Sequence, residues 1–499
     1  MPQCALVDSA PIENARPARG IAWLWLCGVL SVYSIAFLIY AETAAFTWDE
    51  SYHLVAAQLI AAGKRPYLDF CFPQTPLNAY LNAGWMRLFG QSWRVPHTFE
   101  ALFTIGGVLL MADYVFVRFP VPRWRFAAAL TTGLATGLNA MMFTYAPVAQ
   151  PYGICLLALA AAFRISLNGT DRKGTVPACA AGFCAGVAAG SSLLTAAAAP
   201  VLLVWMLVCN RAGSRWKKFV AWCIGMAVPF VPVLWLFWLG PRQTWFNVVQ
   251  YHYFYRRLYW PETTQHDLEV LTSWIDSGQG LLLGPLALYG LYFIARKSQW
   301  TRAVKREFYL CAWLATGLGV EIGLAHPTFP QYFLLVVPFL AVPAVAGLYA
   351  AASRLFETER PLWPVLVVSA LLVLGLGRAL YDQRDDDQWS LYERLAKKVE
   401  EVTPPHASLF AQEPIYFLTK RLPPPGLELF YTHKLNLPAG EAALLHIVNQ
   451  DDLKREVQSG MFATAYSCSN EDIADYGLKN LYAQHVEMDT CSIFWDWKK

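Results

Sequence analysis

Long apolar runs separated by short polar loops fill the chain from about residue 20 to residue 380. A helix needs roughly 20 apolar residues to cross a bilayer, so each run is a candidate membrane span. The pattern predicts a polytopic α-helical membrane protein with about 11 transmembrane helices. The predicted spans are 21–41, 97–117, 126–143, 146–164, 176–190, 194–209, 219–239, 278–295, 308–324, 331–351 and 362–379. The short pair 176–190 and 194–209 also fits one bent element.

Composition separates residues 1–380 from residues 381–499. The whole chain is 56% hydrophobic and only 15% charged, whereas soluble domains carry about 25% charged residues. The last 119 residues have ordinary soluble composition, so we predict a membrane domain over 1–380 and a small α/β domain over 381–499. A net charge of +3 gives no reason to expect a nucleic-acid partner.

Lysine and arginine lie in alternate loops, which orients the chain by the positive-inside rule. Loops 118–125, 165–175, 210–218, 296–307 and 352–361 carry them, whereas connections 144–145, 191–193 and 325–330 do not. The N-terminus is therefore predicted to be cytoplasmic. Loops 42–96 and 240–277 and the C-terminal domain are predicted to be extracytoplasmic. Since no small-residue cleavage site follows the first run, we interpret it as a retained helix.

The C-terminal domain begins with a helical pattern, in which Leu391, Leu395 and Val399 share one face. Strand-like runs follow at 407–411, 415–419, 443–448, 462–468 and 492–497, and this mixture predicts a small α/β domain. Cys468 and Cys491 could pair in an oxidising compartment, although the sequence does not determine their separation. No CxxC or histidine-rich pattern indicates a structural zinc site.

Two adjacent carboxylates, Asp49 and Glu50, follow the first apolar run. Thr47 can cap a helix from Trp48 to about Ala62, with an apolar face suited to the membrane interface. In one interpretation the carboxylates only stabilise the helix dipole. In the other they are functional, because acidic groups near bilayer depth are costly and are retained for a purpose.

The stretch WDE, followed by YLDFCFPQTPLNAYLNAGWMRLFG, resembles the first external loop of GT-C glycosyltransferases. It is most similar to bacterial members grouped with protein O-mannosyltransferases and aminoarabinose transferases. The resemblance is strong over 42–120 and weaker at 145–152, at 326–338 and in EPIYFLTKRLPPPG. The matching positions are Asp49-Glu50, Tyr67, Asp69, Phe70, Pro76-Leu77 and Leu88-Phe89-Gly90.

The resemblance implies transfer of a sugar from a polyprenyl-phosphate donor to a lipid, glycan or protein acceptor. The reaction would occur at the extracytoplasmic face of a bacterial inner membrane. It assigns Asp49 as the general base that takes the proton of the acceptor hydroxyl. Glu50 lies about 100° away on an ideal helix and is assigned orientation or metal contact. The candidate substrate-binding residues are Tyr67, Asp69, Gln150 and Tyr152.

Cationic candidates for binding the donor phosphate lie in two other external segments. Arg256 and Arg257 interrupt an aromatic run, where they either clamp phosphate or snorkel at the interface. His326 either reaches phosphate or caps the next span. Lys64 and Arg65, after the acidic helix, are a weaker option.

Two departures from the family pattern bear on metal use and substrate. Gln150 stands where many relatives carry an acid, and PQTPL (73–77) replaces a Glu-Lys-Pro-Pro-Leu run. Both weaken a requirement for a divalent cation and argue against aminoarabinose transfer to lipid A, so the cofactor stays unassigned. The alternative functions are a transporter or flippase for a lipid-linked sugar, or a non-catalytic glycolipid-binding membrane protein.

Overall fold

Helices account for most of the computed structural model, which describes residues 16–45, 47–256, 262–296, 300–355, 361–384 and 388–498. A π-helix, Phe246–Tyr255, follows α12, and a 3₁₀ helix, Pro330–Leu335, precedes α16. The helices up to residue 384 are α1 Arg16–Ala41, α2 Thr47–Ala61, α3 Leu77–Phe89, α4 Arg94–Arg118, α5 Arg125–Gly137, α6 Ala140–Tyr145, α7 Tyr152–Gly169, α8 Val176–Ser191, α9 Ala198–Val208, α10 Arg215–Ala227, α11 Val231–Leu239, α12 Pro241–Trp245, α13 Thr263–Asp276, α14 Gly278–Arg296, α15 Arg302–Leu324, α16 Val337–Leu355 and α17 Leu362–Asp382.

Eight helical segments within the described residues are long and apolar enough to cross a membrane. They are most of α1 and α17, together with α4, α7, α10 joined to α11, α14, α15 and α16, and each overlaps a predicted span. The predicted spans 126–143, 176–190 and 194–209 contain shorter helices, so the count of eleven stays a prediction. Helices α8 and α9 are separate elements with a 3₁₀ turn between them, and not one bent helix.

Glycines allow two pairs of membrane helices to approach at backbone contact. A Cβ atom on Gly347 of α16 would lie 1.9 Å from the carbonyl oxygen of Leu286 on α14, and one on Gly182 of α8 would lie 2.2 Å from that of Trp222 on α10. Close approach of this kind is how membrane helices gain packing energy where the hydrophobic effect is weak.

The C-terminal region contains a four-stranded sheet in the order β1-β2-β4-β3. Strand β1 runs parallel to β2, and the other pairs are antiparallel, with Ala465 of β2 opposite Phe494 of β4. The elements are α18 Trp389–Val402, β1 Leu409–Phe410, α19 Glu413–Leu418, α20 Ala439–Leu444, α21 Gln450–Gln458, β2 Thr464–Ser467, α22 Asn470–Tyr476, α23 Leu478–Leu481, β3 Tyr482–Met488 and β4 Cys491–Trp497.

Two of the predicted strands in this region are wrong. Residues 415–418 belong to α19, which begins beside Pro414, and proline favours the first helical turn. Residues 443 and 444 are the end of α20, and residues 445–448 follow that helix. His446 has a φ of +56°, which is incompatible with an extended strand. Short apolar runs do not by themselves distinguish a strand from a buried helix. The disulfide that the sequence left open is present between Cys468 and Cys491.

The C-terminal region packs directly on the loop that follows α1. Trp93 stacks on Trp389 with ring centroids 5.3 Å apart, and the Trp93 indole N–H donates to Glu393 over 3.0 Å. The C-terminal region also covers part of α2, which contacts α19. Residues 50–60 of α2 are all buried. We expected α2 to lie on a membrane surface, and the structure instead encloses it in protein.

Candidate active site

Helix α2 directs its two acidic residues toward different surroundings. Asp49 and Glu50 lie in its first turn, and consecutive residues on an α-helix point about 100° apart. Asp49 is partly buried, whereas Glu50 is fully buried. Their neighbours therefore differ, and the two carboxylates can have different roles.

Asp49 is joined by residues from two distant parts of the chain. The Gln150 side chain, just before α7, makes a hydrogen bond with the Asp49 carboxylate. Arg256, at the end of the π-helix, is close enough to interact with the same carboxylate electrostatically. Packing thus places an acid, an amide and a guanidinium at one point.

Arg256 is held in place by aromatic residues of the segment before α16. Its Nη2 donates to the hydroxyl of Tyr332 over 2.5 Å. The guanidinium carbon also lies 5.5 Å from the Phe329 ring centroid and 5.9 Å from that of Tyr332, within cation–π range. A fixed guanidinium with further N–H groups is suited to binding an anionic oxygen.

Tyrosines surround the Asp49–Arg256 pair and interact with it electrostatically. Four tyrosines are buried, and the hydroxyl of each interacts electrostatically with Asp49. The set is Tyr52, Tyr152, Tyr251 and Tyr332. The walls of the site therefore combine aromatic surface with hydroxyl groups.

The electrostatic environment makes Asp49 a stronger base than an exposed aspartate. Burial raises the pKa of its carboxyl, and Arg256 and Gln150 offset part of this rise. A carboxylate with a raised pKa accepts a proton more readily, which is what general-base catalysis requires.

Glu50 is directed away from Asp49 toward α4. Its Oε1 contacts His97 Nε2 and accepts the main-chain N–H of Ala149 over 3.3 Å. His97 Nδ1 lies 2.7 Å from the Ala41 carbonyl oxygen, so this nitrogen carries a proton. Glu50 therefore ties α2 to the end of α1, to α4 and to the segment that carries Gln150.

No protein-family profile and no curated protein matches the chain. Solved structures do match. Two crystal structures of ArnT from Cupriavidus metallidurans, one bound to undecaprenyl phosphate and one in the apo state, each align with a TM-score of 0.68. Each is 17% identical and covers 96% of this chain and 98% of its own. This chain has the fold of ArnT.

A second match supports the same ArnT-like fold. The oligosaccharyltransferase of Archaeoglobus fulgidus, in a complex with zinc and sulfate, has a TM-score of 0.51 and 14% identity over 90% of this chain and 69% of its own. The predicted fold, a multi-pass helical membrane protein with a small C-terminal sheet region, is thus confirmed.

Within the ArnT-like fold, Tyr67 and Asp69 shape the loop between α2 and α3. The Tyr67 hydroxyl donates to the Gln74 carbonyl oxygen over 2.5 Å, with Tyr67 fully buried. Asp69 makes a salt bridge with Arg65 over 2.8 Å and accepts the Arg65 main-chain N–H over 2.7 Å. Arg65 is therefore engaged locally, and both predicted substrate-binding residues have partners within their own loop.

The remaining candidates for phosphate binding have different surroundings. His326 Nδ1 pairs with Asp267 of α13, and Asp267 also accepts the main-chain N–H of Thr328 over 2.7 Å. His326 thus links α13 to the segment before α16. Arg257 lies outside the described residues, so only Arg256 can be placed.

Three residues around this site were not predicted from the sequence: Tyr332, His97, and Glu100, which accepts the main-chain N–H of Ile154 at the start of α7. Tyr332 and His97 lie in the stretches 326–338 and 42–120, which resemble the GT-C family. That resemblance was the signal that could have identified them. Glu100 had a weaker signal, as a carboxylate within an apolar span.

The described residues do not offer the donor set of a metal site. No three histidine, cysteine, aspartate or glutamate side chains among them converge on one point. Beside Asp49 the structure places Gln150 and the cation Arg256. These residues do not fit a bound divalent cation, and the charge available to an anion here is the guanidinium.

Proposed function

We propose that this protein is a glycosyltransferase that moves a sugar from a polyprenyl-phosphate donor to a hydroxyl acceptor. The observation that supports this most directly is the electrostatic proximity of Asp49 to Arg256 beside buried tyrosines. The pair offers a base and an anion-binding group together. The ArnT structure of the same fold was determined bound to undecaprenyl phosphate.

In this proposal Asp49 activates the acceptor. Its carboxylate takes the proton of the acceptor hydroxyl as the oxygen attacks the anomeric carbon of the sugar. The bond between that carbon and the phosphate oxygen breaks, and its electron pair leaves on the phosphate. Because phosphate is a good leaving group, the step needs charge stabilisation rather than a general acid.

Arg256 supplies that stabilisation. Its guanidinium is positioned by the hydrogen bond to Tyr332, and the Tyr332 hydroxyl can donate a hydrogen bond to a phosphate oxygen. Charge that develops on the phosphate therefore meets donors that are already oriented, which lowers the barrier.

Glu50 acts in this proposal as a positioning residue. Its carboxylate is occupied by His97 and the Ala149 N–H and is fully buried. Glu50 fixes the position of Ala149 by accepting its N–H. The next residue, Gln150, contacts Asp49. Loss of Glu50 would misplace the base rather than remove it.

The proposed reaction takes place at the extracytoplasmic face of a bacterial inner membrane, on a lipid, glycan or protein acceptor. The loop that carries Asp49 packs on the C-terminal region, whose disulfide suits an oxidising compartment. The charged loops predict a cytoplasmic N-terminus. In that orientation the loop that carries Asp49 and the C-terminal region are both outside the cytoplasm.

The test is turnover of a lipid-linked donor by purified full-length protein. Wild type, Asp49→Asn and a matched control, Asp382→Asn, are incubated with undecaprenyl-phosphate-linked sugars and a membrane extract that supplies acceptors. Asp382 is exposed at the end of α17. Release of free undecaprenyl phosphate by wild type and control, with at least a 100-fold loss in Asp49→Asn, is expected.

Equal turnover by Asp49→Asn would remove Asp49 from the chemistry. No turnover by any variant, together with movement of the lipid-linked sugar across vesicle membranes, would instead indicate a transporter.

A further inference from the structure

Gln150, next to Asp49, and three polar residues of α2 and the start of α3 are among the buried residues with atoms that lack a hydrogen-bond partner among the described residues. Each is at most 5% exposed. An unsatisfied buried polar atom destabilises the fold, and native proteins contain few of them. A ligand that completes these hydrogen bonds would remove that cost. The atoms are Gln150 Oε1, His53 Nδ1, Thr75 Oγ1 and Asn78 Nδ2.

Gln150 and His53 are placed directly beside the proposed base. Gln150 bonds Asp49 through its amide group, so its unpartnered oxygen belongs to a group already in the site. His53 lies one helical turn after Asp49, on the same side of α2. Its ring is 4.4 Å from that of Tyr52 and 5.9 Å from that of Phe72.

Thr75 and Asn78 approach from the start of α3. Thr75 follows Gln74, whose side chain bonds the hydroxyl of Tyr52, a neighbour of Asp49. Asn78 is in the first turn of α3, which packs against α2. These residues therefore lie where α3 begins to pack against α2.

These four side chains are all uncharged. Burial lowers the pKa of His53 to about 3, so its imidazole is neutral. The two carboxylates in the first turn of α2 already interact with cationic or hydrogen-bonding groups, since Asp49 lies near Arg256 and Glu50 contacts His97.

Uncharged donors and acceptors discriminate between kinds of sugar. A sugar hydroxyl can donate to Gln150 Oε1 and accept from Asn78 Nδ2. A buried ammonium group is costly unless a carboxylate pairs with it. The arrangement thus suits hydroxyl groups better than an ammonium group.

We propose that Gln150, His53, Thr75 and Asn78 bind the hydroxyl groups of an uncharged sugar and select against a sugar that carries an ammonium group. This inference rests on the proposed function, in which that sugar is attached to polyprenyl phosphate and reacts beside Asp49.

The experiment measures binding without acceptor, so that catalysis is not needed. Full-length wild type in nanodiscs at pH 6.5 is titrated with undecaprenyl phosphate alone, with its mannosyl and glucosyl forms, and with the 4-amino-4-deoxy analogue of each. We expect each hexosyl lipid to bind at least about tenfold more tightly than its amino analogue. Gln150→Leu should weaken hexosyl binding about tenfold and leave binding of bare undecaprenyl phosphate within about twofold.

Gln58→Leu is the matched control. Gln58 is also a buried glutamine with an unpartnered Oε1, but its amide nitrogen donates to the Arg421 carbonyl oxygen of the C-terminal region over 3.2 Å and not to Asp49. The Gln58→Leu variant should be less stable than wild type but should keep the wild-type preference between hexosyl and amino-sugar lipids. Amino analogues that bind as tightly as the hexosyl lipids, or Gln150→Leu with unchanged hexosyl binding, would overturn the inference while the proposed function stands. Failure of wild type to bind any of these lipids would overturn both.

Discussion

Glu100 of α4 accepts the main-chain N–H of Ile154, at the start of α7, over 2.9 Å, and also bonds the N–H of Gly153. A Cβ atom at position 153 would lie 2.2 Å from the Glu100 carbonyl oxygen, so only glycine allows this approach. The first N–H groups of a helix lack partners within the helix, and a carboxylate satisfies them. Because Gln150 and Tyr152 adjoin these groups, Glu100 positions one wall of the site.

Glu100→Ala is therefore expected to reduce turnover at least about tenfold. It leaves two buried N–H groups unsatisfied, at a cost of about 1–3 kcal/mol, and the segment with Gln150 shifts relative to Asp49. Glu100→Gln keeps one acceptor oxygen and should recover part of the activity. Initial rates of undecaprenyl phosphate release measure both effects.

Glu321→Ala provides the matched control. Glu321 accepts the Ala197 N–H at the start of α9 over 2.8 Å, which is the same type of contact at a different helix. It should lower the melting temperature and preserve turnover. Normal turnover in Glu100→Ala, or an equal loss in Glu321→Ala, would contradict the positioning role.

The pH dependence of turnover should report the environment of Asp49. Burial raises its pKa, so the base becomes protonated, and kcat/KM falls, at a higher pH than for an exposed aspartate. Arg256 lowers this pKa. Arg256→Gln should therefore reduce the rate and also shift the acidic limb of the kcat/KM profile toward higher pH.

Arg242→Gln serves as the control for this shift. Arg242 is bonded to Gln250 and Glu441, and its loss should leave the acidic limb in place. An acidic limb that moves to lower pH in Arg256→Gln would show that the residue titrating is not Asp49.

The C-terminal region should lose stability as pH rises toward neutrality. Burial raises the pKa of both Glu413 and Glu428 to about 7, from an ordinary value of 4.5. The folded form holds these protons more tightly than the unfolded form, so the added stability is full below about pH 4.5 and is lost as pH rises to about 7. Melting temperatures measured between pH 5 and pH 8 should fall by several degrees over this range.

Glu413→Gln combined with Glu428→Gln should remove most of that fall, because a glutamine keeps an acceptor for the Phe430 and Gly426 N–H groups without titrating. The double variant Glu400→Gln, Glu401→Gln changes two exposed glutamates and should keep the wild-type slope. If the first double variant melts with an unchanged pH dependence, these carboxyls are not its source.

Removal of the Cys468–Cys491 disulfide should destabilise the C-terminal region by about 3 kcal/mol, the value expected for a loop of this length. The variant Cys468→Ser, Cys491→Ser can be compared with wild type by thermal unfolding without reductant. Cys223→Ser, which removes an exposed free thiol, should have no effect. Alkylation of both cysteines in unreduced protein from cells would contradict the disulfide and the extracytoplasmic location.

Hydropathy alone was sufficient to predict a helical membrane fold. Main-chain polar groups in a bilayer must bond within their own segment, so apolar runs of about 20 residues have few alternatives to a helix. The two short runs of the C-terminal region, 415–419 and 443–448, had no such constraint, and their assignment as strands was wrong. Asp49 was identifiable as a candidate because a carboxylate pair directly after an apolar run is costly.

Only the tertiary structure decided what Asp49 contacts. Gln150 and Arg256 come from segments about 100 and 200 residues away, and no periodicity in the sequence relates them to α2. The separation of Asp49 from Glu50 was predictable from helix geometry, but the pairing of Glu50 with His97 was not. The sequence pattern reflects local backbone geometry, whereas the role of a carboxylate depends on groups that packing brings within a few ångströms.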